Sequence, residues 1–112
     1  MVSLDAIAAA KAGYTGDLAF GWIALLLDPA YTSLDSNVWI PPSRKEIHLI
    51  VGRESLTGTT VVAAAALVGM SVKGFHKYLA QEGTKAHRVI GYATWHLLLH
   101  RLGVTKIPQG IS

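Results

Sequence analysis

Residues 57–81 read TGTTVVAAAALVGMSVKGFHKYLAQ, two short helical patterns separated by one glycine. Thr60 and Ser71 stand where N-caps belong, and each can accept an orphan backbone N–H at a helix start. The pattern predicts one helix over 61–68 and a second over 72–81. Gly69 supplies the left-handed residue that ends the first, at little steric cost. Ala64 and Ala65 are small enough for two helices to cross closely. Ala64, Val68, Met70, Phe75 and Tyr78 are then expected inside, and Ser71, Lys73, His76 and Lys77 outside. This is the helix-turn-helix pattern, whose second helix enters the DNA major groove. An ordinary helical hairpin with an alanine-rich first arm satisfies the same spacing.

Outward from this stretch, charge divides the chain in two. Residues 1–42 carry net −3, with Lys11 against Asp5, Asp17, Asp28 and Asp35. Residues 43–112 carry net +6, and they contain the helix pair. Phosphate neutralisation requires such an excess. With 112 residues the chain is one small domain, or a small domain with an extension. It contains no Cys, so neither a disulfide framework nor a thiolate zinc site can form. Charged residues make up 15% and hydrophobic residues 51%, an apolar excess that predicts a buried subunit interface. The longest apolar run, LAFGWIALLL at 18–27, is about half a membrane span. No basic residue precedes it within the first ten, so it does not read as a signal peptide. The expectation is a cytoplasmic protein with no membrane partner.

Four segments follow. Residues 1–28 read as an N-terminal apolar helical hairpin. Ser3 caps a helix over 4–12 that stops at Gly13. Asp17 caps a second over 18–27, burying Leu18, Phe20, Trp22, Leu25 and Leu26. Residues 29–42, PAYTSLDSNVWIPP, read as an extended Pro-containing linker with Trp39 and Ile40 packed down. Residues 43–103 read as a helix-turn-helix domain of about five helices. Its first helix, near 44–52, opens on a Ser43–Glu46 capping box and buries Ile47, Ile50 and Val51. Its last, near 91–102, buries Tyr92, Trp95, Leu98 and Leu99. Residues 104–112 read as a mobile tail. The fold class is all-α.

Residues 42–103 resemble the Cro/C1-type (Xre-family) helix-turn-helix regulators of phages and mobile elements. The matching pieces are PSRKEI at 42–47, LTGTT at 56–60, AAALVGMS at 64–71, FHKYLAQEG at 75–83 and IGYATWHLLL at 90–99. Many members open their final helix on an Ile-Pro-Tyr-Ala-x-Trp-x-Leu-Leu stretch after an acidic-Gly turn. Three positions depart from the family. Val61 stands where a DNA-contacting Gln is common, Gly74 interrupts the recognition helix at about 1 kcal/mol relative to Ala, and Gly91 replaces Pro. The resemblance implies sequence-specific binding of double-stranded DNA as a small homodimeric transcriptional regulator. It would be a repressor that occludes a pseudo-palindromic operator.

The residues expected to read bases are Ser71, Lys73, His76 and Lys77, on the exposed part of the second helix. Arg44, Thr59, Thr60, Lys85, His87 and Arg88 are expected phosphate contacts. His96 and His100 share an i, i+4 spacing, but no third ligand accompanies them. They are expected at the edge of the core or of a dimer interface, with no metal and no cofactor. No phosphate loop, HExxH or nucleophile elbow occurs, so no enzymatic activity is expected. The stretch 8–27 is somewhat similar to the opening of lysozyme-like transglycosylases, but no Glu stands where those place a catalytic one. The alternative reading is a protein-interaction module, an adaptor or inhibitor that keeps the fold without reading DNA.

Overall fold

The computed structural model describes residues 2–106, and among them the fold is all-α. Seven helices follow in order: α1 (Leu4–Gly13), α2 (Gly21–Ala24), α3 (Pro29–Thr32), α4 (Arg44–Ile50), α5 (Val61–Leu67), α6 (Val72–Leu79) and α7 (Tyr92–Leu102). No strand occurs among the described residues. None of the helices is long and apolar enough to cross a membrane.

Local capping accounts for most helix starts. The Ser3 hydroxyl accepts the Ala6 N–H at 3.1 Å, Thr60 accepts Ala63 N–H at 3.1 Å and Ser71 accepts Gly74 N–H at 3.0 Å. At α4 the Ser43 N–H and hydroxyl both donate to Glu46 Oε1, at 2.9 and 2.5 Å, within the expected capping box. Gly69, at φ +70°, turns the chain between α5 and α6. α4, α6 and α7 end near their expected positions. Four helices and the turn region around 84–87 make up residues 43–103.

The helix expected over 18–27 shrinks to the single turn of α2. Asp17 is exposed and caps nothing. The cause is Tyr14, whose ring lies against Gly16 and Gly21 so closely that neither position has room for a Cβ. Its hydroxyl takes the Leu18 N–H at 3.0 Å, and the Phe20 N–H goes to the Gly103 carbonyl at 3.0 Å. The Phe20 N–H, which an Asp17 cap would accept, is therefore already taken. Beyond it the bonds are tight i→i−3 links, such as Leu26 N–H to Ile23 O at 2.9 Å. The tighter winding changes the buried face. Ile23 and Leu27 enter the core, while Leu25 is 59% exposed and Leu18, Phe20, Trp22 and Leu26 are only half-buried.

The expected extended linker is also corrected. Asp28-Pro29, which can stop a helix, here starts one: Asp28 Oδ1 accepts the Ala30 N–H at 2.9 Å and Pro29 occupies the first turn of α3. Residues 35–39 close a further turn through the Asp35 carbonyl, and the Ile40 N–H returns to Ala30 O at 3.1 Å. Trp39 packs on the core as expected, whereas Ile40 is 52% exposed.

One hydrophobic cluster joins these parts. Ile23 and Leu27 meet Ile47, Ile50, Ala64, Ala65, Phe75, Tyr78, Trp95, Leu98 and Leu99. Val104, at the start of the expected tail, is buried in the same cluster, and its N–H bonds Leu99 O at 2.9 Å. The remainder of that tail, from 107 on, lies outside the described residues.

Candidate nucleic-acid interface

α6 is amphipathic because its apolar residues are three apart. Phe75 is fully buried and Tyr78 nearly so, and their rings meet edge to face at 5.5 Å. The Tyr78 hydroxyl bonds Met70 Sδ at 3.6 Å, tying the helix to the preceding turn. Val68 and Met70, expected inside, are half-buried against the core. Ser71, Lys73, His76 and Lys77 are all exposed. Lys73, His76 and Lys77 share one face at i, i+3 and i+4. No hydrogen bond or ion pair engages these three side chains among the described residues. Gly74 sits beside the cap: a Cβ there would lie 3.1 Å from Ser71 Oγ.

The other candidate contacts are not all brought to this face. Thr60 and His76 line one shallow groove of about 480 Å3 with Gly52, Arg53, Val61 and Val62. Arg88 is tied to the C-terminal turn of α6, since its N–H donates to Lys77 O at 2.9 Å. Lys85 is exposed and His87 half-buried in the turns that follow α6. Thr59 spends its backbone on closing the 52–59 loop: its carbonyl takes the Gly52 N–H at 2.6 Å and its N–H goes to Thr57 Oγ1 at 3.1 Å. Arg44 lines a different groove, of about 1040 Å3, between α1 and α4. That groove is walled mainly by Leu4, Ile7, Leu26, Leu27, Leu49 and Leu56.

Arg53 is the basic residue the sequence reading passed over. It stands in a loop with no period to mark its direction, and only tertiary packing places it on the same groove as His76. Its neighbour Glu54 lines the α1–α4 groove instead. In that larger groove Tyr31 stands beside Glu46, whose carboxylate raises the phenol above its ordinary pKa, with burial and a hydrogen bond from Tyr31 to Glu46 adding to the effect.

His96 lies deeper than expected. It is 4% exposed, inside the core, while His100 is exposed, so the two imidazoles do not present a common face. The His96 ring packs 4.4 Å from that of Tyr92 and 6.2 Å from that of Trp39. Burial pushes its pKa below the usual imidazole value, and a hydrogen bond to the Ser33 backbone partly offsets this. Nε2 has no hydrogen-bond partner among the described residues.

No protein-family model matches the chain, and no curated protein matches it.

Proposed function

We propose that this chain binds double-stranded DNA as a small dimeric transcriptional regulator, with α6 reading sequence in the major groove. The carrying observation is the division of α6. Phe75 and Tyr78 lock one side into the core, and Lys73, His76 and Lys77 stand free on the other. A helix held rigidly behind a cationic face is what groove entry requires. The resemblance of residues 42–103 to Cro/C1-type regulators supports the same reading, as does the net +6 of residues 43–112. A C2 dimer places two such helices about one DNA turn apart on a pseudo-palindromic operator, and occupancy there blocks polymerase. Lys73 and Lys77 donate to guanine acceptors, while Arg88, beside Lys77, meets the backbone.

The test is selection of bound fragments from random duplex DNA by the purified protein. A recurrent half-site, and loss of at least about tenfold in affinity for it in Lys73→Ala, support the reading. Recovery of no enriched sequence, with no salt-dependent shift of any duplex, defeats it. A second reading, a protein-interaction module, is favoured by the apolar α1–α4 groove and by Leu4 at its edge, which is 84% exposed.

A further inference from the structure

We infer that the groove between the 52–53 turn and α6 receives one backbone phosphate of duplex DNA, held jointly by Arg53 and His76. His76 is then an anchor on the backbone and not a reader of bases. The inference rests on the duplex-binding reading above and assigns one of its contacts.

The two donors come from separate elements. Arg53 follows α4, and His76 sits in the middle of α6, yet both line the same groove. The backbone beneath Arg53 is pinned. The Gly52 N–H bonds Thr59 O at 2.6 Å, and Ser55 donates to Gly52 O twice, from its N–H at 3.1 Å and its hydroxyl at 2.6 Å. A loop tied at both ends presents its side chain from a fixed base, which lowers the ordering cost of a contact.

The charge in the groove has no internal counterpart. Among the described residues no carboxylate lines it, neither α5 nor α6 carries an acidic residue, and Glu54 lines the other groove. A concave cationic site of this kind concentrates anions. The donor types also suit a phosphate. The guanidinium offers a planar fork to two oxygens, and the imidazole adds a ring N–H. Thr60 Oγ1 already accepts the Ala63 N–H, but its hydroxyl proton remains available to the same site.

Placement makes the contact useful. Lys73 is three residues before His76, about 4.5 Å along the axis. A phosphate gripped at His76 and Arg53 therefore sets how deeply the N-terminal half of α6 enters the groove, where Lys73 meets base edges.

The experiment titrates full-length parent, Arg53→Ala, Arg53→Lys, His76→Ala and Lys73→Ala against two probes at two salt concentrations. One probe is a random-sequence duplex pool and the other is the duplex recovered by selection. Circular dichroism checks folding; Arg53 and His76 are exposed, so their removal leaves the core intact. Arg53→Ala and His76→Ala are each expected to weaken both probes alike, by about tenfold. Arg53→Ala should also flatten the log–log salt slope by about one, and Arg53→Lys should restore the slope. Lys73→Ala should weaken only the selected duplex. If Lys73→Ala loses affinity while Arg53→Ala and His76→Ala bind as the parent does, the phosphate assignment is overturned and the duplex-binding reading stands. Loss on the selected duplex alone in His76→Ala returns His76 to base reading and overturns it too. A parent that binds neither probe overturns both.

Discussion

The α5–α6 pair and the region 14–40 are both short helices and turns, but they are held by different kinds of bond. In the pair each helix start is satisfied within three residues, by Thr60 and Ser71, and the buried residues follow helical period. In 14–40 the decisive bonds come from far away. Trp95 Nε1–H and Trp39 Nε1–H both donate to the Tyr31 carbonyl, at 2.8 and 3.1 Å. The Tyr92 hydroxyl donates to Leu34 O at 2.5 Å, and His96 bonds the Ser33 backbone. One face of α7 thus holds the backbone of Tyr31, Ser33 and Leu34, in a segment that has little period of its own. A locally capped element has its helix start fixed by its own neighbours, although its stability still rests on the core. An element captured from a distance depends on that partner for its path as well.

The largest effect expected from breaking this contrast is at Trp95. It is fully buried and also holds Tyr31 O, so Trp95→Ala should cost about 3–5 kcal/mol and release the 29–40 segment. Urea unfolding reads the cost, and hydrogen exchange should show 29–40 losing protection before α5 and α6. Simultaneous loss in both regions would erase the distinction.

Next comes Gly21, where a Cβ would collide with the Tyr14 ring. Gly21→Ala should destabilise by about 1–3 kcal/mol, as overpacking does. Gly13→Ala meets nothing within 4 Å and should be neutral or slightly stabilising. Equal midpoints for the two variants would remove Tyr14 as the reason that α2 is short.

His96 sharpens the comparison through pH. Its folded pKa is lowered by burial, so the unfolded chain takes up a proton that the folded chain refuses. Stability is therefore whole above the ordinary imidazole pKa of about 6.5 and falls as pH drops from there toward the folded value. The slope contributed is at most about 1.4 kcal/mol per pH unit. His96→Phe should abolish this part of the acid dependence in urea titrations run above and below that range. An unchanged slope would mean that another group carries it.

The smallest expected effect is local. Ser71→Ala removes one cap and should cost about 1 kcal/mol, leaving the unfolding of 29–40 unchanged.

Helix starts, the turn at Gly69 and the two faces of α6 were legible because caps and a 3.6-residue period act over a few neighbouring positions. The same local logic misread Asp17, a plausible cap with no helix to serve once Tyr14 occupied the space at Gly21. It also took Asp28-Pro29 for an end when it is equally a beginning. His96 reads in the sequence as a residue at the margin of the α7 apolar stripe, and nothing local signals that Trp39 closes over it. Arg53 has a basic side chain and no pattern to say which way it faces.

The sequence by itself determined an all-α chain, the α4 capping box, the α5–turn–α6 pair and the burial of Trp95, Leu98 and Leu99 on α7, since each follows from bonds or spacings within one or two helical turns. It did not determine that Tyr92 is only half-buried. Only the tertiary structure decided the length of α2, the path of 29–40, the burial of His96 and the groove that Arg53 shares with His76. Those outcomes depend on partners far apart in the chain, such as Phe20 with Gly103 and Tyr31 with Trp95. Which donor reaches which carbonyl across such a distance is settled by how the whole core closes, and no local window contains it.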